Sequence, residues 1–129
     1  MATTTRPDIV AAINILCRRV SNPRQRDWNA VKQVIRYFKQ TINLKLKISA
    51  DDNLELVGYV DADWAGDITD RKSTSAYLYK LDETSVSWSS KKQASVALSS
   101  TEGEYVSAAC ASQEVIWLRQ LEIMQGNQR

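Results

Sequence analysis

The stretch that decides the fold is AYLYKLDETSVSWSS, which runs from Ala76 to Ser90. Aromatic and β-branched side chains occupy alternating positions in its two halves, and this period of two is typical of strands. A short polar break, Asp82-Glu83-Thr84, separates the halves. The pattern therefore predicts an antiparallel hairpin with strands at residues 76–81 and 85–90.

The chain upstream of this hairpin predicts two more strands. Residues 54–61 form the nearer one, and they lead into the acidic run of residues 61–67, whose Gly and Asp content predicts a loop. Leucine or isoleucine alternates with lysine over residues 44–48, which predicts a short strand buried on one face. Asp51-Asp52-Asn53 is expected to form the turn between these two strands.

The spacing of apolar residues predicts helices before and after the strands. The first predicted helix covers residues 6–20, with Pro7 and Asp8 in its first turn, and the second runs from Asp27, as its cap, to residue 39 or 40. A longer helix is predicted from residue 100 to residue 124. The expected apolar face of that last helix consists of Val106, Ala109, Cys110, Ile116, Trp117, Leu121 and Met124. Two helices, a three-stranded antiparallel meander and a packed helix make an α+β fold.

Charge is distributed unevenly along the chain. Residues 1–50 contain ten Lys or Arg and two acidic residues, a net charge of +8, whereas the remainder carries −6. This asymmetry points to a polyanionic partner for the first half. The alternative is that the basic residues lie on solvated helix faces and that the two halves attract each other. Lys32, Arg36 and Lys39 recur at helical spacing, where they either track a phosphate backbone or form a plain solvated face.

Composition excludes several classes of site. The 129 residues include no His, so imidazole triads, His-ligated metals and His switches are excluded. Cys17 and Cys110 are far apart, which excludes zinc-finger spacing and argues against a disulfide framework. No apolar run reaches the roughly 18 residues of a membrane span, and the N-terminus lacks the apolar core of a signal peptide. We therefore expect no membrane partner and an intracellular protein, cytoplasmic or nuclear.

Two carboxylates stand out as candidates for metal chemistry. Asp61 ends a predicted strand and Glu102 lies in the first turn of the next helix, so a helix packed across that strand would bring them together. Mg²⁺ takes such oxygen ligands, and two-metal nucleases gather several of them. The alternatives are structural, because Ser99 and Glu102 match a capping box and Asp61 and Asp63 match turn residues.

Five motifs, in order along the chain, are more specific than this spacing. They are GYVDADWAGD (58–67), DRKSTS (70–75), SWSSKKQ (87–93), ALSSTEGEY (97–105) and WLRQL (117–121). Together they closely resemble the ribonuclease H region of copia-type retrotransposon Pol polyproteins, and the segments 6–9 and 28–39 resemble the connection upstream of it. On this resemblance, residues 1–50 form a basic helical connection-like segment with a short strand. Residues 51–129 then form the N-terminal part of an incomplete ribonuclease H-like domain.

The resemblance implies a nuclease that cuts the RNA strand of an RNA/DNA hybrid with two Mg²⁺ ions. It implies that Asp61 and Glu102 are two of the four carboxylates that hold these ions. The candidate contacts to this hybrid, or to another nucleic acid, are Arg71, Lys72, Lys91, Lys92 and Gln93, together with Lys32, Arg36 and Lys39. For residues 91–93 the alternative is a solvated turn.

The chain also departs from the family pattern. The third and fourth carboxylates of the family follow the last helix, and this chain stops at Arg129. We therefore expect weak or absent Mg²⁺ binding, little or no turnover, and an open edge on the strand of Asp61 through which copies could self-associate. A non-catalytic nucleic-acid-binding or protein-interaction module is the alternative function. Gly103 stands where the family commonly has Ala, which is expected to loosen the first turn of the helix.

Overall fold

The fold was determined from a computed structural model, which describes residues 2–48 and 55–126. The elements in these residues are α1 (Ala2–Thr5), α2 (Pro7–Cys17), α3 (Gln25–Gln40), β1 (Leu56–Asp63), β2 (Thr74–Leu81), β3 (Thr84–Lys92) and α4 (Ser100–Gly126). Among the described helices, none has the length and apolar character needed to cross a membrane. The predicted α+β class is confirmed.

The sheet is an antiparallel meander in the order β1-β2-β3. Tyr79 lies at its centre, where it faces Gly58 on β1 and Ser87 on β3. The tight turn between β2 and β3 holds Asp82 at φ 52°, a left-handed conformation that Asp adopts more readily than most residues. The predicted hairpin is therefore confirmed. β2 begins two residues earlier than predicted, and β3 ends two residues later.

Two predictions about the upstream strands are wrong. Residues 44–48 form neither helix nor strand, and Leu44, Leu46 and Ile48 are exposed. An alternating pattern makes a strand only where a neighbouring strand completes its hydrogen bonds, and in the described residues no strand pairs with this segment. β1 extends to Asp63, so Ala62 and Asp63, which were predicted to lie in the loop, belong to the strand. The turn predicted at residues 51–53 lies outside the described residues.

The two N-terminal helices form close to their predicted places. α2 ends at Cys17, three residues before the predicted end, and α3 begins two residues before Asp27. Asp27 therefore occupies the third helical position instead of the cap. Its carboxylate accepts the backbone N–H of Arg24 at 2.8 Å, which satisfies one of the donors at the start of the helix.

α2 packs on one face of the sheet. Val10 is buried and lines the cleft against this face, whereas Ile9 is buried on the side of α2 that faces α3. The side-chain amide of Asn14 donates to the carbonyl oxygen of Ser90 at 2.6 Å, and Arg18 donates to the hydroxyl of Thr74 at 3.2 Å. These bonds attach the basic first half of the chain to the ends of β2 and β3.

α4 packs on the opposite face through small residues. Gly103, Ser107 and Ala111 are buried at intervals of four, whereas Ile116 and Trp117 are exposed. The predicted apolar face of this helix is therefore wrong. Small side chains let the helix backbone approach the sheet, and the Ser107 hydroxyl donates to that of Ser75 at 2.7 Å. This close approach is what places the first turn of α4 beside β1.

We expect Gly103→Ala to stabilise the protein by about 0.5 to 1 kcal/mol, because alanine is the better helix former. A Cβ at this position would lie 3.5 Å from the Ser73 hydroxyl and 3.8 Å from Ala62 Cβ, which are ordinary van der Waals distances. Urea unfolding of the two proteins measures the difference. Ala109→Gly, at an exposed position of the same helix, should cost a similar amount. A loss of stability in Gly103→Ala would contradict the prediction.

Candidate functional site

Asp61 and Asp63 lie on the α2 side of the sheet. Successive residues of a strand point to opposite faces, and Ala62 between them points to α4, where its Cβ lies 3.8 Å from the position of a Cβ at Gly103. Asp61 is exposed and lines a cleft of about 460 Å³ between α2 and the sheet, together with Val10 and Ala11. Asp63 likewise lies near Arg18 and Arg19 of the chain segment that follows α2.

Glu102 caps the start of α4. The Ser99 hydroxyl accepts the backbone N–H of Glu102 at 3.1 Å, and the Glu102 carboxylate accepts the N–H of Leu98 at 2.6 Å. Glu102 thus has the helix-capping role that was its structural alternative. In a standard capping box its carboxylate would accept the N–H of Ser99, one residue after Leu98. The bond to Leu98 turns the carboxylate back along its own chain.

The two predicted Mg²⁺ ligands belong to neighbouring elements, and Mg²⁺ binding by them stays a prediction. Asp61 and Glu102 lie on elements that touch through Ala62 and Gly103, but the strand pleat directs Asp61 to the face away from α4. In residues 2–48 and 55–126, no three His, Cys, Asp or Glu side chains gather closely enough to hold a metal ion. The structure therefore brings the two elements together, while the Glu102 carboxylate bonds to its own chain.

Gln93 has a structural role. Its side chain is only 6% exposed, and its amide donates to the Ser75 hydroxyl at 2.9 Å and to the Gly103 carbonyl at 3.0 Å. The amide that we predicted to contact nucleic acid is thus buried, and it joins β2 to α4. Lys91, two residues earlier, is exposed.

Lys92 also has internal partners. Its ammonium lies 2.6 Å from an Asp67 carboxylate oxygen and 2.7 Å from one of Asp70. The bond from Lys92 holds the pKa of Asp67 well below its usual range, and it lowers that of Asp70 while the two carboxylates raise the pKa of Lys92. We call Asp67, Asp70 and Lys92 the loop clamp, because they tie the loop after β1 to the end of β3.

The clamp shapes the loop that carries Arg71 and Lys72. Arg71 is exposed, adopts φ 56°, and donates its backbone N–H to the Asp67 carbonyl at 2.7 Å. The N–H of Lys72 donates to the Asp70 carboxylate at 3.2 Å. Sequence reasoning missed Asp67 and Asp70 as partners of Lys92, because only the folded loop brings them to the end of β3.

The cations of α3 are exposed on the first half of the molecule. Lys32, Arg36 and Lys39 are all exposed, and the Lys32 ammonium lies 5.6 Å from the centre of the Trp28 ring. α3 packs against α2, where Arg6 lies 5.0 Å from the centre of the Phe38 ring. These three cations thus remain a surface row, as their spacing predicted.

The chain is similar to proteins of two kinds. It is 50% identical over 114 residues to secreted RxLR effector protein 161 of Plasmopara viticola, and the alignment covers 88% of this chain and 80% of that protein. It is 44% identical to the retrovirus-related Pol polyprotein from transposon TNT 1-94 of Nicotiana tabacum, over 89% of this chain and 9% of the polyprotein. It is also 44% identical to the corresponding polyprotein from transposon RE2 of Arabidopsis thaliana, over 88% of this chain and 8% of the polyprotein.

The match to the Pol polyproteins spans less than a tenth of their length. The match to the Plasmopara viticola protein spans most of the length of that protein. No family model and no solved structure matches the chain. The chain therefore belongs to a retroelement-related family that includes secreted RxLR effector protein 161 and the matching segment of these Pol polyproteins.

Proposed function

We propose that the chain is a ribonuclease H-like, retroelement-derived domain whose ancestral reaction is cleavage of RNA in RNA/DNA hybrids, and that the chain alone does not catalyse it. The observation that carries the proposal is the packing of α4 across β1. This packing sets the start of the helix, with Glu102, beside the strand that carries Asp61. The five motifs and the similarity to Pol polyproteins support the same function.

The proposed inactivity is supported by the surroundings of the two carboxylates. Glu102 is committed to the Leu98 N–H, and Asp61 faces the cleft under α2. Two-metal cleavage needs several carboxylates that converge on ions about 4 Å apart. In the part of the chain that the structure describes, no three His, Cys, Asp or Glu side chains gather in this way. A longer polypeptide that supplies further carboxylates would have to reorient both side chains.

Cleavage of a labelled RNA/DNA hybrid in Mg²⁺ tests the proposal. We expect no cutting above background by the chain alone, and cutting when the segment that follows it in a Pol polyprotein is fused to it. In that fusion, Asp61→Asn should reduce the rate by about 1,000-fold, since one ligand accounts for several kcal/mol of transition-state stabilisation.

Asp63→Asn is the matched control, because Asp63 lies on the same strand and the same face as Asp61. It should leave the cleavage rate within about threefold, as expected for a residue that does not touch the reacting atoms. Robust cutting by the chain alone, abolished by Asp61→Asn, would overturn the proposed inactivity. A fusion that binds the hybrid but never cuts it would overturn the ribonuclease assignment.

A non-catalytic nucleic-acid-binding or protein-interaction module is the second candidate. It is favoured by the exposed row of α3 cations and by the capping role of Glu102. Its test is the binding of the labelled hybrid at increasing salt, because phosphate contacts weaken as salt rises. Binding that is insensitive to salt would contradict phosphate recognition.

A further inference from the structure

One side of α3 combines an exposed indole with three cations. Trp28, Lys32, Ile35, Arg36 and Lys39 recur every three or four residues and therefore share one side of the helix, which we call the α3 outer face. The Trp28 side chain is 55% exposed and Ile35 is 59% exposed, although both are large apolar residues. An indole left in water is a large apolar surface that a partner could cover.

The cations on this face are available for a ligand. Within the described part of the chain, Lys32, Arg36 and Lys39 form no ion pair with an acidic side chain. The ammonium of Lys32 sits by the Trp28 ring instead, 5.6 Å from its centre. Such an exposed contact is weak, so the ammonium can move to a phosphate while the ring accepts another partner.

The chemistry of the face favours nucleic acid with unpaired bases. Bases stack on exposed aromatic rings only when they are not paired, while Lys and Arg beside the ring bind the phosphates. The distance along the helix from Trp28 to Lys39 is about 16 Å, which is enough for a few nucleotides. The net charge of +8 in residues 1–50 favours a polyanion over a neutral or cationic partner.

We infer that the α3 outer face binds single-stranded nucleic acid, with one base stacked on Trp28 and the neighbouring phosphates on Lys32, Arg36 and Lys39. This inference rests on the nucleic-acid partner in the proposed function. It adds a residue, Trp28, and it places the contact on the first half of the chain, away from Asp61 and Glu102 in sequence and on a separate element.

Fluorescence anisotropy of a labelled single-stranded RNA of about 12 nucleotides tests the stacking. Trp28→Ala should weaken binding by about 5- to 100-fold, which corresponds to the loss of one stacked base. Trp28→Phe should retain most of the affinity. Trp117→Ala is the matched control, because Trp117 is 52% exposed on α4, and it should change the affinity by less than about twofold.

The salt dependence of the same binding tests the cations. The triple variant K32Q/R36Q/K39Q should reduce the slope of log affinity against log salt by about 2, since three phosphate contacts to a single strand are lost. Trp28→Ala should leave that slope unchanged. The charge-matched control K45Q/K47Q/R119Q removes three exposed cations elsewhere and should reduce the slope by less than about 0.5.

Two polyanions that carry no bases distinguish base stacking on Trp28 from binding of phosphate alone and from binding of an acidic protein. Polyphosphate should bind wild type and Trp28→Ala equally, and polyglutamate should not displace the RNA at equal charge concentration. Equal affinity of wild type and Trp28→Ala for RNA would overturn the inference, and so would efficient displacement by polyglutamate, which would indicate an acidic protein partner. Trp28→Ala in the longer fusion separates this inference from the proposed function. If the variant still cleaves the hybrid and binds RNA as tightly as wild type, the inference is wrong and the proposed function stands.

Discussion

Tyr79→Ala is expected to destabilise the fold by about 3 to 5 kcal/mol, which is the usual cost of removing a buried aromatic side chain. Tyr79 is only 5% exposed and lies at the centre of the sheet. A Cβ at Gly58 would lie 2.5 Å from its ring, so β1 has a glycine where the ring crosses it. The ring thus packs against β1 at Gly58, and its hydroxyl end reaches α4.

The same residue also joins the sheet to α4 through a polar contact. Its hydroxyl donates to the Ala111 carbonyl at 2.7 Å. Tyr79→Phe keeps the ring and removes only this bond, so it should cost about 1 kcal/mol. Urea unfolding followed by circular dichroism measures both variants. Because small domains are stable by about 5 to 15 kcal/mol, the alanine variant should unfold at much lower urea. Equal costs for the two variants would refute the packing argument.

Lys92→Met is expected to cost about 1 to 3 kcal/mol, because it leaves the Asp67 carboxylate without its main partner. That carboxylate is buried to more than nine-tenths, and its remaining partners are the Thr69 N–H at 2.9 Å and Arg19 at 3.7 Å. Lys92 itself is partly solvated, which keeps the expected cost below that of a fully buried pair. Lys91→Met, next to it and exposed, should stay within about 0.5 kcal/mol.

The stability of these two variants should also differ in its dependence on pH. The folded pKa of Asp67 lies below its ordinary value of 3.8, so the unfolded chain takes up a proton first on acidification. The stabilisation by Lys92 is therefore complete above the ordinary value and declines as the pH falls below it. Urea unfolding between about pH 5 and pH 2 should show the wild type losing more stability than Lys92→Met, so that the two curves approach one another. Parallel curves would contradict the loop clamp.

Local pattern predicted the meander and the helices because each depends on short-range rules. The alternation over residues 76–90 specifies which side chains share a face, and the polar break at Asp82 to Thr84 specifies the turn. The same rule failed for residues 44–48, where the pattern is present but no strand of the described residues pairs with it. A strand is stabilised by its partner, and that partner is a property of the whole fold.

The candidate site was only partly predictable for a similar reason. Spacing correctly placed Glu102 in the first turn of α4 and Asp61 on the strand beside it. The direction of each carboxylate depended on details that spacing does not contain, namely the pleat at Ala62 and the hydrogen bond to Leu98. Gln93 shows the same limit, since a polar residue beside two lysines becomes buried once α4 closes over it.

The amino-acid sequence by itself determined the class of the fold, the hairpin, the row of α3 cations and the retroelement relationship, because each depends on residue types at short or ordered spacing. Tertiary structure alone decided that Gly103, Ser107 and Ala111 form the buried face of α4, and that Asp67 and Asp70 surround Lys92. Those outcomes depend on how closely two elements approach, and closeness in space is set by packing across the whole chain.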